Sequence, residues 1–165
     1  KKYNNKTFKI MKLFKQKKSN IDKRGLFATR NIKKGTRIIE YKGKIITKNE
    51  TEKNSKFDND KDIYLFNLNS RYDLDGDYSW NTARLVNHSC NPNCEVEGKG
   101  LKLWITSIKD IKKDEELSYD YGFGYDRDYK QFPCKCAAKN CCGYIVREGS
   151  RWRIKNKKNS VNNFF

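Results

Sequence analysis

The stretch Asn87-His88-Ser89-Cys90-Asn91-Pro92-Asn93-Cys94 is the most informative part of this 165-residue sequence. It contains the only histidine of the chain, two of its six cysteines and one of its two prolines. Pro92 lacks a backbone donor and drives Asn91 towards extended geometry, so these residues cannot continue a regular helix or strand. Apolar residues precede the stretch and a strand-like run follows it. We therefore expect a compact polar turn between two buried elements, whose side chains need partners or a ligand.

Short strands rather than long helices dominate the rest of the sequence, which predicts a mainly β fold in one domain with a small appendage. We expect a short helix over 80–86, a surface helix or loop over 49–62 and a polar loop over 17–25. The expected strands cover 8–14 (an edge strand), 37–47 (broken at Gly43), 63–68, 71–78 (a hairpin turning at Asp75-Gly76), 95–108 (a hairpin around Gly98-Lys99-Gly100) and 116–123.

Cysteine placement and hydropathy predict the cellular compartment. All six cysteines lie between Cys90 and Cys142, and the C-x-C spacing among them is poor for a disulfide, so metal binding in a reducing compartment is favoured. No apolar run approaches the length of a membrane span, and no signal peptide is visible at the start. We therefore expect neither membrane insertion nor secretion.

The pattern Cys134-x-Cys136-x4-Cys141 indicates a metal site. It brings three thiols together on a loop that has little else to bury. This spacing predicts zinc, which takes four ligands in structural sites. Cys90, Cys94 and Cys142 are the candidates for the fourth ligand. Ordinary free cysteines are the alternative interpretation.

The net charge of +17 lies entirely at the two ends of the chain. Residues 1–24 carry +9 and residues 127–165 carry +8, whereas residues 25–126 are neutral. Lysine-rich ends attract the phosphate backbone of nucleic acids, which predicts a DNA contact. Solvated surface is an equally good interpretation of the same pattern.

Residues 116–123, Glu-Leu-Ser-Tyr-Asp-Tyr-Gly-Phe, carry two tyrosines two positions apart. On a strand, Tyr119 and Tyr121 face the same side. Aromatic core is the usual fate of such side chains. Two phenols beside a compact polar turn are also suited to line a pocket that handles an amine.

Three motifs in this order resemble one family: RLVNHSCNPNC at 84–94, ELSYDYGF at 116–123, and the three-cysteine pattern followed by Cys142-Gly143-Tyr144. They resemble the SET-domain protein lysine methyltransferases with a post-SET zinc segment. Upstream, GLFATRNIKKGTRIIEYKGKII is similar to the opening strands of that family, and the similarity covers roughly residues 15–146. It implies a SET-domain (β-clip) fold of short strands with a knot-like C-terminal threading, few short helices and a small zinc-bound tail.

The resemblance divides the chain into four parts. Residues 1–14 form a basic N-terminal extension or edge strand, and residues 15–126 form the SET domain. Residues 127–146 are then the post-SET zinc segment, and residues 147–165 are a basic C-terminal tail.

The resemblance also assigns roles to individual residues. Tyr121 matches the catalytic tyrosine, Tyr119 the position whose size limits the number of methyl groups, and Tyr64 a wall of the lysine channel. The positions that match cofactor-binding residues are Arg84, Asn87 and His88, the backbone near Arg24 and Gly25, and Tyr144 or Ile145 against the adenine. The zinc ligands match Cys90, Cys134, Cys136 and Cys141, which leaves Cys94 and Cys142 as free thiols.

Two positions depart from the family pattern. The opening loop of the family usually has the form G-x-G, whereas this chain has Lys23-Arg24-Gly25. The backbone path at Lys23 therefore does not follow from the resemblance. Cys142 stands where a basic residue is common.

The implied function is methyl transfer from S-adenosylmethionine to a lysine of a basic protein tail. The expected substrate is a histone in a nucleosome, with mono- to dimethylation, and with DNA contacted by the basic ends. A non-histone protein substrate and a non-catalytic DNA- or chromatin-binding module are the alternatives. The expected location is the nucleus, or a host nucleus if the protein is an effector, because short relatives occur in intracellular bacteria and large viruses.

Overall fold

The computed structural model describes residues 12–58 and 64–154. The described residues form ten short strands and few helices, which confirms the mainly β prediction. The strands are β1 (Phe14–Lys18), β2 (Arg24–Ala28), β3 (Arg37–Tyr41), β4 (Lys44–Thr47), β5 (Leu65–Asn67), β6 (Tyr72–Asp75), β7 (Asn87–His88), β8 (Cys94–Lys99), β9 (Lys102–Ser107) and β10 (Ser118–Tyr119). The helix α1 covers Lys48–Lys53, and 3-10 helices cover Ser55–Asp58, Thr82–Leu85, Tyr129–Gln131 and Glu148–Ser150.

The strands form four small sheets. β1 and β2 are an antiparallel pair, and two three-stranded sheets have the orders β3-β9-β8 and β4-β6-β5. The fourth sheet is the short parallel pair of β7 and β10, which joins Asn87 to Ser118 and His88 to Tyr119. The two motifs quoted above are therefore neighbours in space. The knot-like threading stays a prediction.

One apolar core lies between these sheets. Leu26, Ile105, Leu117 and Val86 are among its fully buried members, and each contributes about 1.5–3 kcal/mol through burial. They come from β2, β9, the segment before β10 and the residue before β7. The core therefore holds the opening loop and both motifs in fixed positions.

The polar turn 89–93 is held in place mainly by the side chain of Asn93, which forms hydrogen bonds with backbone groups of another segment. Asn93 is buried, its Nδ2 donates to the carbonyl of Glu116 at 2.8 Å, and its Oδ1 accepts from the amide of Ser118 at 2.9 Å. The amide of Ser89 donates to the carbonyl of Tyr119 at 3.1 Å. The expected compact polar turn is confirmed, and its side chains bind the strand that carries the tyrosines.

Several strand predictions were wrong in detail. Residues 8–11 of the predicted edge strand lie outside the described residues, and the strand begins at Phe14 and includes Lys17 and Lys18, which were expected in a loop. Pairing with β2 supplies the backbone hydrogen bonds there, although the side chains show no apolar period. The strand expected over 116–123 is only two residues long.

The hairpin turn expected at Asp75-Gly76 lies elsewhere. β6 pairs with β5, and the turn between them is made by Asn69, whose Oδ1 accepts from the amides of Arg71 at 2.8 Å and Tyr72 at 3.0 Å. Gly76 instead packs under Tyr41, where an added Cβ would lie 2.3 Å from a ring carbon. The glycine at this position serves close packing and not a hairpin turn.

The tail after residue 124 builds a small core of its own. Tyr129, Cys142, Val146 and Ile154 are its buried members. The packed part therefore extends into the predicted basic tail 147–165, of which residues 147–154 are described. Within the described ranges, no helix is long and apolar enough to cross a membrane.

Candidate active site

A cleft of about 850 Å³, here called the main cleft, brings the motif residues together. Of the residues assigned by the resemblance, seven lie on its walls: Arg24, Tyr64, Arg84, Asn87, Tyr119, Tyr121 and Ile145. The other lining residues are Asp22, Lys23, Tyr41, Leu65, Phe66, Asn67, Leu85, Gly122, Phe123 and Phe132. One end is rich in aromatic rings and the other is formed by the loop 22–24.

The aromatic end contains tyrosine side chains packed against one another. The rings of Tyr119 and Tyr121 lie 4.9 Å apart, and Tyr121 donates its hydroxyl hydrogen to the carbonyl of Val86 at 3.1 Å. Phe66 stacks on Tyr119 at 6.3 Å and packs edge-on against Tyr41 at 4.6 Å. Tyr119 and Tyr121 share a face as expected, although Tyr121 lies beyond the end of β10.

Burial keeps these phenols protonated. It raises the pKa of Tyr119 well above the ordinary value for tyrosine, and it also raises the pKa of Tyr121. A neutral phenol can donate or accept a hydrogen bond but is a weak base. The aromatic end therefore offers apolar surface and neutral hydroxyls rather than charge.

Tyr41 is a wall residue that the motifs did not identify. It is fully buried, and within the described ranges its hydroxyl is the one buried side-chain nitrogen or oxygen without a hydrogen-bond partner. Burial raises the pKa of Tyr41 and keeps its hydroxyl protonated. No motif includes Tyr41, and a single tyrosine at the end of an apolar run is equally suited to a core.

Asn87, which lines the main cleft, forms hydrogen bonds with the loop 22–24. Its Nδ2 lies within 3.2 Å of four acceptors: the carbonyls of Asp22 and Arg24, the hydroxyl of Ser19 and Oε1 of Glu116. Ser19 also donates to Glu116 at 2.7 Å. A Cβ at Gly25 would lie 2.2 Å from Oε1 of Glu116, so only glycine allows this approach. Asn87 and Gly25 thus determine where the loop 22–24 can lie.

The position where the family pattern has glycine is strained in this chain. Lys23 has φ +40, in the left-handed region that side chains rarely adopt. The loop therefore keeps a glycine-like backbone path although the residue is lysine. The Lys23 and Arg24 side chains line the main cleft and make no ion pair among the described residues.

His88 connects the turn to Tyr121. Its Nδ1 accepts from the amide of Tyr121 at 3.2 Å, and its Nε2 lies 3.6 Å from Sγ of Cys90. Burial lowers the pKa of His88 to about 4, against the nearby carboxylate of Asp120. The ring is therefore neutral at pH 7 with its hydrogen on Nε2, and it positions the backbone beside the main cleft.

A second, smaller cleft of about 220 Å³ adjoins the first. The two share Asp22, Asn87, Tyr121, Phe132 and Ile145. His88 and Cys134 also line the small cleft. Ile145 is thus placed at the junction, whereas Tyr144 lines neither cleft and packs edge-on against Tyr129 at 5.0 Å. Phe132 was not identified from the sequence, because a single phenylalanine before a proline carries no motif.

Four cysteine sulfurs meet beside the small cleft. Those of Cys90, Cys134, Cys136 and Cys141 all lie within 4.8 Å of one another. Cys90 Sγ is 3.9 Å from Cys134 Sγ and 3.8 Å from Cys141 Sγ. Zinc–sulfur bonds of about 2.3 Å in a tetrahedron require sulfur separations of about 3.8 Å. The four sulfurs therefore fit a tetrahedral zinc ion, whereas Cys94 and Cys142 are buried elsewhere.

The chemistry of these thiols also suits a cation. Burial raises the pKa of Cys90, and the neighbouring Cys134 raises it further. Burial opposes the ionisation of Cys136, yet backbone amides of Cys90 and Ala138 donate to its sulfur and lower its pKa to about 7. Burial therefore disfavours four thiolates at this place unless a positive charge compensates them, and a divalent metal ion would supply that charge.

Arg151 joins the tail to the polar turn, a role that the sequence did not indicate. It is buried, its Nη1 donates to the carbonyl of Cys90 at 2.8 Å, and its Nη2 pairs with Asp120 at 2.6 Å. Asn140 donates to the same carbonyl at 2.9 Å. One of the ten cations of residues 127–165 is therefore structural and is not free to contact DNA.

Comparison with known proteins identifies the family. The sequence model of the SET domain matches residues 23–122, more than half of the chain. Histone-lysine N-methyltransferase 2D of Homo sapiens is 38% identical over 130 residues, which are 75% of this chain and 2% of that protein. Histone-lysine N-methyltransferase 2B of Homo sapiens is 40% identical over 135 residues, which are 78% of this chain and 5% of that protein.

A third relative is the Histone-lysine N-methyltransferase, H3 lysine-4 specific, of Schizosaccharomyces pombe. It is 42% identical over 135 residues, which are 77% of this chain and 14% of that protein. The chain therefore spans only a small part of the length of these relatives. The family match runs from the opening loop at Lys23 to Gly122, just past the paired tyrosines, and so includes the residues that form most of the main cleft. The chain belongs to the SET-domain family.

Proposed function

We propose that this chain is an S-adenosylmethionine-dependent protein lysine N-methyltransferase that modifies a basic protein tail, in the first place a histone in a nucleosome. One observation carries the proposal: the phenols of Tyr64, Tyr119 and Tyr121 share one cleft with Asn87 and the opening loop. Such a cleft offers an aromatic channel for an amine at one end and polar groups for a donor at the other. Family membership supports the same activity.

The donor would lie along the loop side and extend into the small cleft. Arg24 and Arg84 are the cations suited to its carboxylate, and Asn87 holds the backbone of the loop in place. Ile145 and Phe132 offer apolar surface for its adenine near His88. Gly25 would contact the donor through its backbone. Tyr144 would not contact the donor but would support its site by packing in the tail core. When bound, S-adenosylmethionine supplies a methyl group that its sulfonium makes electrophilic.

The chain must deliver the acceptor lysine as a neutral amine. At pH 7 a free lysine with a pKa near 10.4 requires about 5 kcal/mol to lose its proton. The aromatic end of the main cleft disfavours the ammonium by desolvation, which lowers that cost. Among the described lining residues, Asp22 is the one carboxylate, and it lies on the loop side. The proton would therefore leave to water and not to a side-chain base.

Tyr121 would align the amine and not deprotonate it. Its hydroxyl is fixed by the carbonyl of Val86 and its backbone amide by His88, so its ring has a defined position. Alignment of reacting groups can contribute several kcal/mol to lowering a barrier. Tyr64 would form the outer wall, where the guanidinium of Arg84 lies 5.5 Å from its ring.

We assign the metal site to one structural zinc bound by Cys90, Cys134, Cys136 and Cys141. The sulfur separations and the charge balance described above support this assignment. The ion would link the polar turn, which carries Cys90, to the tail, which carries Phe132 and Ile145. Zinc would therefore hold the wall of the small cleft in place without taking part in methyl transfer.

The relatives suggest the substrate and the place of action. Because the Schizosaccharomyces pombe relative is named H3 lysine-4 specific, lysine 4 of histone H3 is the first acceptor to test. A nucleosome is found in a nucleus, which we propose as the site of action. Two acids of β6 are not free to attract a basic tail, because Asp73 pairs with Lys48 and Asp75 pairs with Lys56 at 2.7 Å.

A substrate comparison tests this proposal against its alternatives. The full chain is incubated with S-adenosylmethionine and, in parallel, with nucleosomes, an H3 tail peptide and a basic non-histone protein. We expect methyl-lysine on histone H3 in the first two reactions. Methylation confined to the non-histone protein would support the non-histone alternative, and binding without methylation would support a non-catalytic module.

Tyr119 should set the number of methyl groups. Tyr119 is buried in the wall of the aromatic end, where its hydroxyl would limit the space for additional methyl groups. We expect the wild type to make mainly monomethyl-lysine with some dimethyl-lysine. Tyr119→Phe removes the hydroxyl, worth about 1–2 kcal/mol of discrimination, and should shift products towards di- and trimethyl-lysine with activity retained.

Mass spectrometry of the peptide products checks this prediction. The control is Tyr72→Phe, since Tyr72 lies on β6 and lines neither cleft. Its product distribution should equal that of the wild type. Trimethyl-lysine as the main wild-type product, or an unchanged distribution in Tyr119→Phe, would show that Tyr119 does not limit methylation.

A further inference from the structure

A strongly basic groove lies beside the main cleft. It is lined by Gln16, Lys17, Lys18, Lys23 and Arg24, so four of its five residues are cationic. It is open to solvent and follows β1, which pairs only with β2 among the described strands. Lys23 and Arg24 belong to both this basic groove and the main cleft.

Most of the positive charge in the basic groove has no partner. Of the four lining cations, only Lys17 has an acidic partner among the described residues: Asp114 pairs with Lys17 at 2.8 Å and also with Lys15 at 2.9 Å. Within the described ranges, the side chains of Lys18, Lys23 and Arg24 make no ion pair. Asp22, the nearest acid in the sequence, lies 3.8 Å from Lys135 on the tail.

Two features of this corner cost stability. Lys18 lies directly opposite Arg24 in the β1–β2 register, and like charges in that arrangement are destabilising. Lys23, the residue before Arg24, adopts φ +40, which is also unfavourable for a lysine. Two unfavourable features at one exposed place indicate a binding role, because a bound anion would relieve the repulsion between Lys18 and Arg24.

We propose that the basic groove binds the phosphate backbone of duplex DNA. The choice of DNA as the ligand rests on the proposed function, because a nucleosomal substrate would bring DNA close to the main cleft. A cluster of three unpaired cations at the end of the β1–β2 pair matches a polyanion, which carries one negative charge per about 1.7 Å of its axis. The donor carboxylate offers only one negative charge, whereas three of the lining cations, Lys18, Lys23 and Arg24, make no ion pair within the described ranges.

The test measures how the affinity for DNA depends on salt. The full chain is titrated into a short fluorescent DNA duplex without cofactor, at a series of sodium chloride concentrations. The slope of log K against log salt is negative, and each lost phosphate contact should decrease its magnitude by about 0.9. We expect a decrease of about 0.9 for Lys18→Gln and about 1.8 for Lys18→Gln/Lys23→Gln.

The control pair is Lys99→Gln/Lys102→Gln. These two lysines also face each other across a pair of strands, at the tip of the β8–β9 hairpin, but line none of the three clefts. Their removal should leave the slope unchanged. An equal decrease in this control, or no decrease in Lys18→Gln, would overturn the proposal.

A second measurement separates DNA from the cofactor as the occupant. The affinity for S-adenosylmethionine is measured for the same variants by calorimetry. Lys18→Gln should bind the cofactor as the wild type does and should methylate a free peptide at the wild-type rate. If Lys18→Gln loses affinity for S-adenosylmethionine while the salt dependence of DNA binding is unchanged, the basic groove binds the cofactor. That result would overturn the proposed DNA site. A wild type that binds DNA as described but transfers no methyl group would contradict the proposed function alone.

Discussion

Tyr121→Phe should lower kcat by about 100-fold, the cost expected when the reacting groups are no longer aligned. The hydroxyl of Tyr121 is the one that the carbonyl of Val86 holds at the aromatic end of the main cleft, 4.9 Å ring-to-ring from Tyr119. Phenylalanine keeps the ring and its packing but removes this fixed hydroxyl. Steady-state methylation of an H3 peptide measures the effect.

The control for this prediction is again Tyr72→Phe, which removes a phenol outside both clefts. It should change kcat by no more than about twofold, because Tyr72 lines neither the main cleft nor the small cleft. Calorimetry should show that Tyr121→Phe still binds S-adenosylmethionine. Full activity in Tyr121→Phe would contradict the assignment, and a folded variant that no longer binds the donor would make Tyr121 a binding residue instead.

The second large effect concerns the cysteine cluster. The wild type should contain one zinc ion per chain by metal analysis. Cys141→Ser should lose it, because a structural site needs all four ligands. The wall formed by Phe132 and Ile145 then loses its link to Cys90. We expect on the order of tenfold weaker binding of S-adenosylmethionine, as for other losses around metal sites.

The neighbouring Cys142 provides a matched control. It is buried in the tail core, its thiol donates to the carbonyl of Tyr144 at 3.3 Å, and it is not part of the cluster. Cys142→Ser should retain one zinc ion and the affinity for the donor. A zinc-free wild type with full activity, or equal metal loss in Cys141→Ser and Cys142→Ser, would exclude the four-cysteine site.

The sequence predicted the mainly β fold because it depends on local patterns, whereas the meeting of the main motifs in one site was implied by the resemblance. The central turn depends on Asn91 and Pro92, whose backbone preferences are strong, and the paired tyrosines depend on a spacing of two residues. The fit of Cys90 to the other three cysteines came from the resemblance. Spacing alone had left Cys94 and Cys142 as equal candidates.

What the sequence did not predict depends on contacts between distant parts of the chain. Arg151 resembles any other lysine or arginine of the basic tail, and only the fold shows that it binds the carbonyl of Cys90. Tyr41 and Phe132 are single aromatic residues that are equally suited to a core. β1 is a strand because its backbone pairs with β2, although its side chains carry no alternating apolar pattern.

The most direct test of the central proposal is methyl transfer itself. The full, zinc-loaded chain is incubated with isotopically labelled S-adenosylmethionine and nucleosomes, and histone peptides are sequenced by mass spectrometry. We predict labelled monomethyl- and some dimethyl-lysine on histone H3, with lysine 4 as the first candidate, and about 100-fold less label with Tyr121→Phe over the same time. Absence of label from every lysine, in protein that binds both zinc and the donor, would contradict the proposal that this chain is a lysine methyltransferase.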